Sequence, residues 1–168
     1  MEGKNITLIG MPGSGKSTVG VLLAKTLGYR FLDADLLIQQ REGALLQDIL
    51  DQRGVEGFLD VEEDVIRSLD CTGTVIAPGG SAVCREGAAR RLKELGLVVY
   101  LHVPLAELER RISNITTRGI AMAPGQTLAD VFAQREPLYR RYAGVTVEVR
   151  PGAGLEETVA AVLAACNF

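Results

Sequence analysis

The sequence predicts an α/β protein: one five-stranded parallel sheet with helices on both faces. Three observations predict it. Short apolar runs alternate with helical patterns along the chain, the order that parallel crossovers require. One of those runs, Thr74-Val75-Ile76-Ala77, lacks polar alternation, as suits a strand covered on both faces. A glycine-rich segment joins the first run to the first helix, the place where such folds turn from strand to helix.

The elements follow in order. Asn5-Ile6-Thr7-Leu8-Ile9 is the first strand. Gly10-Met11-Pro12-Gly13-Ser14-Gly15-Lys16-Ser17-Thr18 then fits G-x-x-x-x-G-K-[ST] at every fixed position. The glycines let successive N–H groups point at phosphate oxygens, and the next helix adds its positive end. Gly13, Ser14, Gly15, Lys16, Ser17 and Thr18 are therefore the candidate nucleotide-binding residues. Lys16 is placed for the β- and γ-phosphates and Ser17 for Mg²⁺. The apolar pattern from Val19 carries the helix to Gly28, which ends it.

Tyr29-Arg30-Phe31-Leu32 reads as the second strand and runs into Asp33-Ala34-Asp35. Two carboxylates two residues apart at a strand's carboxyl end lie on one side, at the sheet edge where ligands sit. One suits Mg²⁺, directly or through water; the other suits an acceptor's hydroxyls, as hydrogen-bond acceptor or as base. Asp35 also stands where an N-cap for the helix at Leu36 would stand.

Helices are expected over Leu36 to Arg41 and Leu45 to Leu50, a turn over Gly54 to Phe58, and an acidic helix over Asp60 to Leu69. After the third strand, Pro78-Gly79-Gly80-Ser81-Ala82 lets a ligand approach bare backbone. Arg85 to Leu95 is a helix closed by Gly96, and Leu97 to Leu101 the fourth strand. Pro104 opens a helix through Ile112. The segment from 113 to 126 has little periodicity and reads as a lid whose charge is Arg118. Thr127 caps a helix through Arg135, Val145 to Val149 is the fifth strand, and Leu155 to Ala165 the last helix.

Composition narrows the function. The 168 residues suit a single domain, residues 1–168. A net charge of −3 gives no basic field for nucleic acid. Cys71, Cys84 and Cys166 have no metal or disulfide spacing, and the single histidine, His102, closes an apolar run. No apolar run reaches the roughly 18 residues of a membrane span. A cytoplasmic enzyme, monomeric and acting on a small molecule, is expected. No guanine-reading Asn-Lys-x-Asp occurs, which argues against a GTPase switch. The compact length argues against a motor or transporter ATPase. A small kinase with a closing lid remains: phosphoryl transfer needs positioning, charge neutralisation and exclusion of water.

The motifs together closely resemble the shikimate kinase family, a P-loop group related to nucleoside-monophosphate kinases. The glycine loop is similar to that family's, Phe31-Leu32-Asp33-Ala34-Asp35 to its F-x-D-x-D, Gly57-Phe58 with Glu62 to its G-F-R-x-x-E. Ala77-Pro78-Gly79-Gly80 is similar to its third-strand glycine turn, and Arg135-Glu136-Pro137-Leu138-Tyr139 to its R-x-P-L-Y. The resemblance implies ATP and Mg²⁺, sheet order 2-3-1-4-5, a lid over about 113–126, and transfer of the γ-phosphate to a hydroxyl of shikimate in aromatic amino-acid synthesis. It implies that Lys16 and Arg118 stabilise the transferring group, that Ser17 and Asp33 hold Mg²⁺, and that Arg111 lies against adenine. It further implies that Asp35, Gly79, Gly80 and Arg135 bind the acceptor, Asp35 also serving as a possible base and Arg135 holding the carboxylate.

Three positions depart from the pattern. Leu59 stands where the family has an arginine of a two-guanidinium carboxylate clamp, Ser81 stands for a third glycine, and the lid reads Arg118-Gly119-Ile120-Ala121 rather than R-P-L-L. Glycine for proline is expected to loosen the lid hinge. The acceptor pocket is thus the most altered part. Two alternatives stand beside the main reading: a same-fold kinase for another polyol or hydroxy acid, and a module that binds ATP without catalysis.

Overall fold

The structure, a computed structural model, describes residues 4–112 and 119–167. The strands are β1 (Asn5–Ile9), β2 (Arg30–Asp33), β3 (Thr74–Ala77), β4 (Gly96–His102) and β5 (Val145–Glu148). The helices are α1 (Lys16–Leu27), α2 (Ala34–Glu42), α3 (Leu46–Arg67), α4 (Glu86–Leu95), α5 (Leu105–Arg111), α6 (Leu128–Tyr142) and α7 (Leu155–Ala165). The sheet order is β2-β3-β1-β4-β5, with every pairing parallel. Both the strand number and the order match expectation.

β1 is central because its residues tolerate burial on both faces. Ile6, Leu8 and Ile9 are buried, and Thr7 stands opposite Ile76 on one side and Val98 on the other. The amino end of the sheet is closed by Asn5. Its amide donates to the carbonyls of Cys71 at 2.6 Å and Leu95 at 3.0 Å, and its carbonyl accepts from the Thr74 N–H at 3.0 Å. The helices gather around the sheet: α1 packs on α7, while α3 packs on α2 and α4. A second apolar cluster, Ile38, Ile49, Phe58, Leu59, Val61, Val65 and Ala121, joins α2 and α3 to the described part of the expected lid stretch.

Three elements differ from the sequence reading. The two helices and the turn expected across 45–69 are one continuous element, α3, broken at the single residue Gly54 (φ 68°, ψ −179°). α6 does not stop at Arg135; it continues through Pro137 to Tyr142. Proline removes one backbone donor, but the buried face Leu128, Val131, Arg135, Tyr139, Tyr142 keeps helical spacing across it. The N-cap of α2 is Asp33, not Asp35: the Asp33 carboxylate accepts from the N–H groups of Asp35 at 2.9 Å and Leu36 at 3.3 Å. Smaller shifts occur at strand ends. β2 starts at Arg30 rather than Tyr29, and Gly96 belongs to β4 rather than only closing α4.

Candidate functional site

The site lies at the carboxyl ends of β1, β2 and β3, where parallel folds leave a crevice. β1 feeds the loop from Gly10 to Gly15, and Gly15 (φ 90°) serves as N-cap of α1. Lys16 starts that helix and is only 9% exposed. Its Nζ donates to the carbonyls of Gly10 and Met11, each at 2.9 Å. The loop is therefore curled around its own lysine. Burial, with Arg135 adding to it, pulls the ammonium down to about 8, against the opposing pull of Asp35 and Glu62.

Ser17 and Asp33 meet across the crevice. Ser17 Oγ donates to Asp33 Oδ2 at 3.1 Å, so a hydroxyl and a carboxylate from separate elements converge beside the loop. That donor set, all oxygen, suits a hard divalent cation such as Mg²⁺. Gly13, Gly15, Thr18 and Lys16 line the same cavity of about 340 Å³, while Ser14 is buried beneath the loop, its N–H donating to the Met11 carbonyl at 3.1 Å.

Opposite the loop stands a second set of groups. Asp35, in the first turn of α2, lines the cavity with Phe58, Gly79, Gly80, Ala121 and Arg135. Burial, and then the neighbouring Asp33 carboxylate, push Asp35 up to about 6, with Lys16 resisting. Arg135, on α6 and 5% exposed, donates to the Ala121 carbonyl, which fixes the guanidinium at the cavity wall. Gly80 is pressed against the phosphate loop: a Cβ there would lie 2.8 Å from Pro12 Cδ. Tyr139 Oη donates to the Gly80 carbonyl at 2.5 Å, so the turn after β3 is pinned from α6.

Arg111 ends α5. Its Nε donates to Glu107 at 2.9 Å and its terminal nitrogen approaches the Gly13 carbonyl at 3.4 Å. It therefore borders the phosphate loop rather than the Arg135 wall. Arg118, and the expected lid from 113 to 118, lie outside the described residues. Of the remaining lid stretch, Ile120 and Ala121 are buried and Gly119 has φ 62°. Leu59 is 6% exposed and packs in the α2–α3 cluster rather than on the cavity.

Two participants were legible in the sequence only as motif members, without partners. Glu62 is buried at 1% exposure behind Gly79 and accepts from Ser81 Oγ at 2.7 Å. Burial raises its carboxyl to about 7 and Asp35 adds to this, against the Ser81 hydrogen bond, Arg135 and Lys16. Its signal was a charge on the face that carries Phe58, Val65 and Ile66. Tyr139 was seen as part of a motif, without a partner. His102, as expected, is a satisfied strand-end residue; its Nδ1 pairs with Glu148. The three cysteines are free, and no described helix is long and apolar enough to cross a membrane.

Comparison with known proteins agrees with this geometry. The family model for shikimate kinase matches residues 12–166. The chain is 43% identical over 147 residues to a shikimate kinase of Pseudomonas aeruginosa, covering 86% of each chain. It is 40% identical over 153 residues to one from Paracidovorax citrulli, covering 88% of this chain and 84% of that one. Among solved structures, a shikimate kinase from Acinetobacter baumannii in complex with shikimate superposes with a TM-score of 0.86 at 33% identity, over 98% of this chain and 93% of the other.

Proposed function

Since the chain belongs to the shikimate kinase family, we propose that it transfers the γ-phosphate of ATP to a hydroxyl of shikimate, with Mg²⁺ as the metal. One observation carries the reading. A single cavity of about 340 Å³ has the Lys16–Ser17 loop on one side and Asp35, Gly80 and Arg135 on the other, so a triphosphate end and a hydroxylated carboxylate can meet within it.

The residues divide the work by chemistry. The amides of Gly13 to Thr18 and the α1 N-terminus take the phosphate oxygens. Lys16, whose hydrogens rest on two carbonyls, turns them to the phosphates and follows the charge that builds on the transferring group. Ser17 and Asp33 hold Mg²⁺, which when bound offsets phosphate charge and orients the oxygens. Asp35 takes the acceptor hydroxyl as hydrogen-bond acceptor. With its carboxyl near 6, it is ionised at neutral pH and able to receive the hydroxyl proton as the new O–P bond forms. The Gly80 N–H and the Arg135 guanidinium orient the acceptor, the latter through its carboxylate. Arg118 meets the phosphate oxygens from the lid, and Arg111 lies against the adenine. The protein acts in the cytoplasm as a monomer.

The packing of Leu59 away from the cavity favours a second reading: an acceptor other than shikimate, a polyol or hydroxy acid. Among the described residues Arg135 is the guanidinium that lines the cavity, so one cation rather than two would hold a carboxylate. Coupled measurement of ADP release settles the choice. Release that depends on shikimate, Mg²⁺ and ATP together is the expected result. Release stimulated only by other hydroxy acids overturns shikimate as acceptor, and release by none overturns the kinase reading.

A further inference from the structure

Behind the acceptor wall sits a carboxyl group with half of its hydrogen-bonding capacity unused. Glu62 Oε1 accepts from Ser81. Glu62 Oε2 is fully buried and has no hydrogen-bond partner among the described residues. It faces the acceptor side: a Cβ on Gly79 would stand 2.6 Å from Glu62 Oε2 and 2.9 Å from Asp35 Oδ1. The bare α-carbon of Gly79 thus lets both carboxyl groups close on one point.

The charged and titratable groups facing Glu62 come from every side. They are Lys16 from α1, Asp35 from α2, Arg135 from α6 and the Cys84 thiol after the β3 turn. Its own helix adds no cation there, because the turn before it presents Phe58 and Leu59 to the apolar cluster. Lys16 is engaged with loop carbonyls. Of the two cations that act on Glu62, Arg135 is then the one not held by the phosphate loop, and it is the group assigned above to the acceptor's carboxylate.

An ionised carboxylate seeks several donors, and one hydroxyl is too few in a site this dry. Neutral, Glu62 leaves the field of Arg135 to the ligand. Ionised, it offsets that field and repels an anion arriving at the same guanidinium.

We propose that Glu62 is a specificity-determining positioning residue that gates the acceptor site by its charge: an acceptor bearing a carboxylate is held while Glu62 is neutral and loses affinity as Glu62 ionises. The inference rests on the acceptor reading given above. Burial places the transition near neutral pH, so the gate works where the enzyme does.

The test compares the wild type with Glu62→Gln, which keeps the shape and the acceptor for Ser81 but cannot ionise. Rates are measured with shikimate at saturating Mg-ATP from about pH 5.5 to about 8.5. The wild-type to Gln ratio of KM is expected to rise about tenfold across that range, the equivalent of one pK unit of coupling, while the ratio of kcat stays flat. Ser81→Ala, which removes a donor favouring the ionised form, should move the rise to higher pH. A flat KM ratio overturns the proposal, as does a pH dependence carried by kcat instead. If no shikimate-dependent release occurs at any pH, the acceptor reading fails separately. The gate is then judged on Glu62 itself, by infrared titration of a protonated-carboxyl band absent from Glu62→Gln. A band that disappears across neutral pH supports it; a Glu62 ionised throughout overturns it.

Discussion

Lys16 is held by the chain's own carbonyls before any phosphate arrives. Its contacts to Gly10 and Met11 satisfy a buried ammonium that would otherwise be costly. Nucleotide must therefore replace those carbonyls with phosphate oxygens. Lys16→Ala is expected to lower kcat at least about 100-fold, as loss of a transition-state charge partner does, with the fold retained by circular dichroism. Glu62 gives a residue-scale prediction of another kind. Its native proton affinity is raised from 4.5 to about 7. The native state thus holds a proton that the unfolded chain releases between those values. Stability from this group is complete below about pH 4.5 and is lost as pH rises through 7. Glu62→Gln escapes that loss. It should be more stable than the wild type at about pH 8, by on the order of 1–3 kcal/mol, and near-equal at about pH 4.5, by urea denaturation at each pH. Leu59→Arg would bring a guanidinium to the same region at the expense of the apolar cluster. Shikimate KM should fall by about tenfold, as one charge-assisted hydrogen bond warrants, while the melting temperature drops.

At the scale of elements, the break in α3 is carried by one residue. Gly54 has a positive φ with an extended ψ, a region open essentially to glycine. A Cβ there would meet no atom within 4 Å, so the cost of substitution is backbone strain alone. Gly54→Ala should destabilise by about 1–3 kcal/mol in urea denaturation, and Gly54→Asn by a similar amount, since asparagine's tolerance of positive φ belongs to the left-handed helical region and not to an extended ψ. Elements also show what a sequence conceals. The glycine loop was legible because its chemistry is local: each residue's role follows from its offset along the chain. The carboxylate pair after β2 was legible for the same reason, though its cap was assigned to Asp35 where Asp33 serves. The merger of two helices into α3 was not, because a five-residue turn and a one-residue kink leave the same glycine in the sequence. Nor was the passage of α6 through Pro137, where a tertiary contact, Tyr139 to Gly80, rewards the helix for continuing. Glu62 stood in the sequence as a motif glutamate, but its burial and its Ser81 partner did not: an acidic helix shows many carboxylates, and only the packed fold chooses which one water cannot reach.

For the whole molecule, strand number and parallel pairing followed from apolar runs separated by helices, and strand order from the resemblance. The match holds because crossover handedness and burial leave few arrangements. The wall proposed for the acceptor is a whole-molecule feature: α2, α3, the β3 turn and α6 must all be in place before Asp35, Glu62, Gly80 and Arg135 converge. Ligand binding should therefore stabilise the entire domain. Mg-ATP at about 100 times its Kd should add about 2.7 kcal/mol, seen as a higher melting temperature in scanning calorimetry, and Lys16→Ala should abolish most of that gain.

The central place of β1 has a consequence during synthesis. The strand leaves the ribosome before the other four described strands, yet both its neighbours, β3 and β4, come much later in the chain. A nascent chain halted before Leu95 can dock β1 on one side only, and Asn5 has no Leu95 carbonyl to lock onto. Such non-local pairing makes assembly slow and leaves the newborn amino-terminal half sticky, with an open ribbon edge that a holdase chaperone would recognise until translation passes His102.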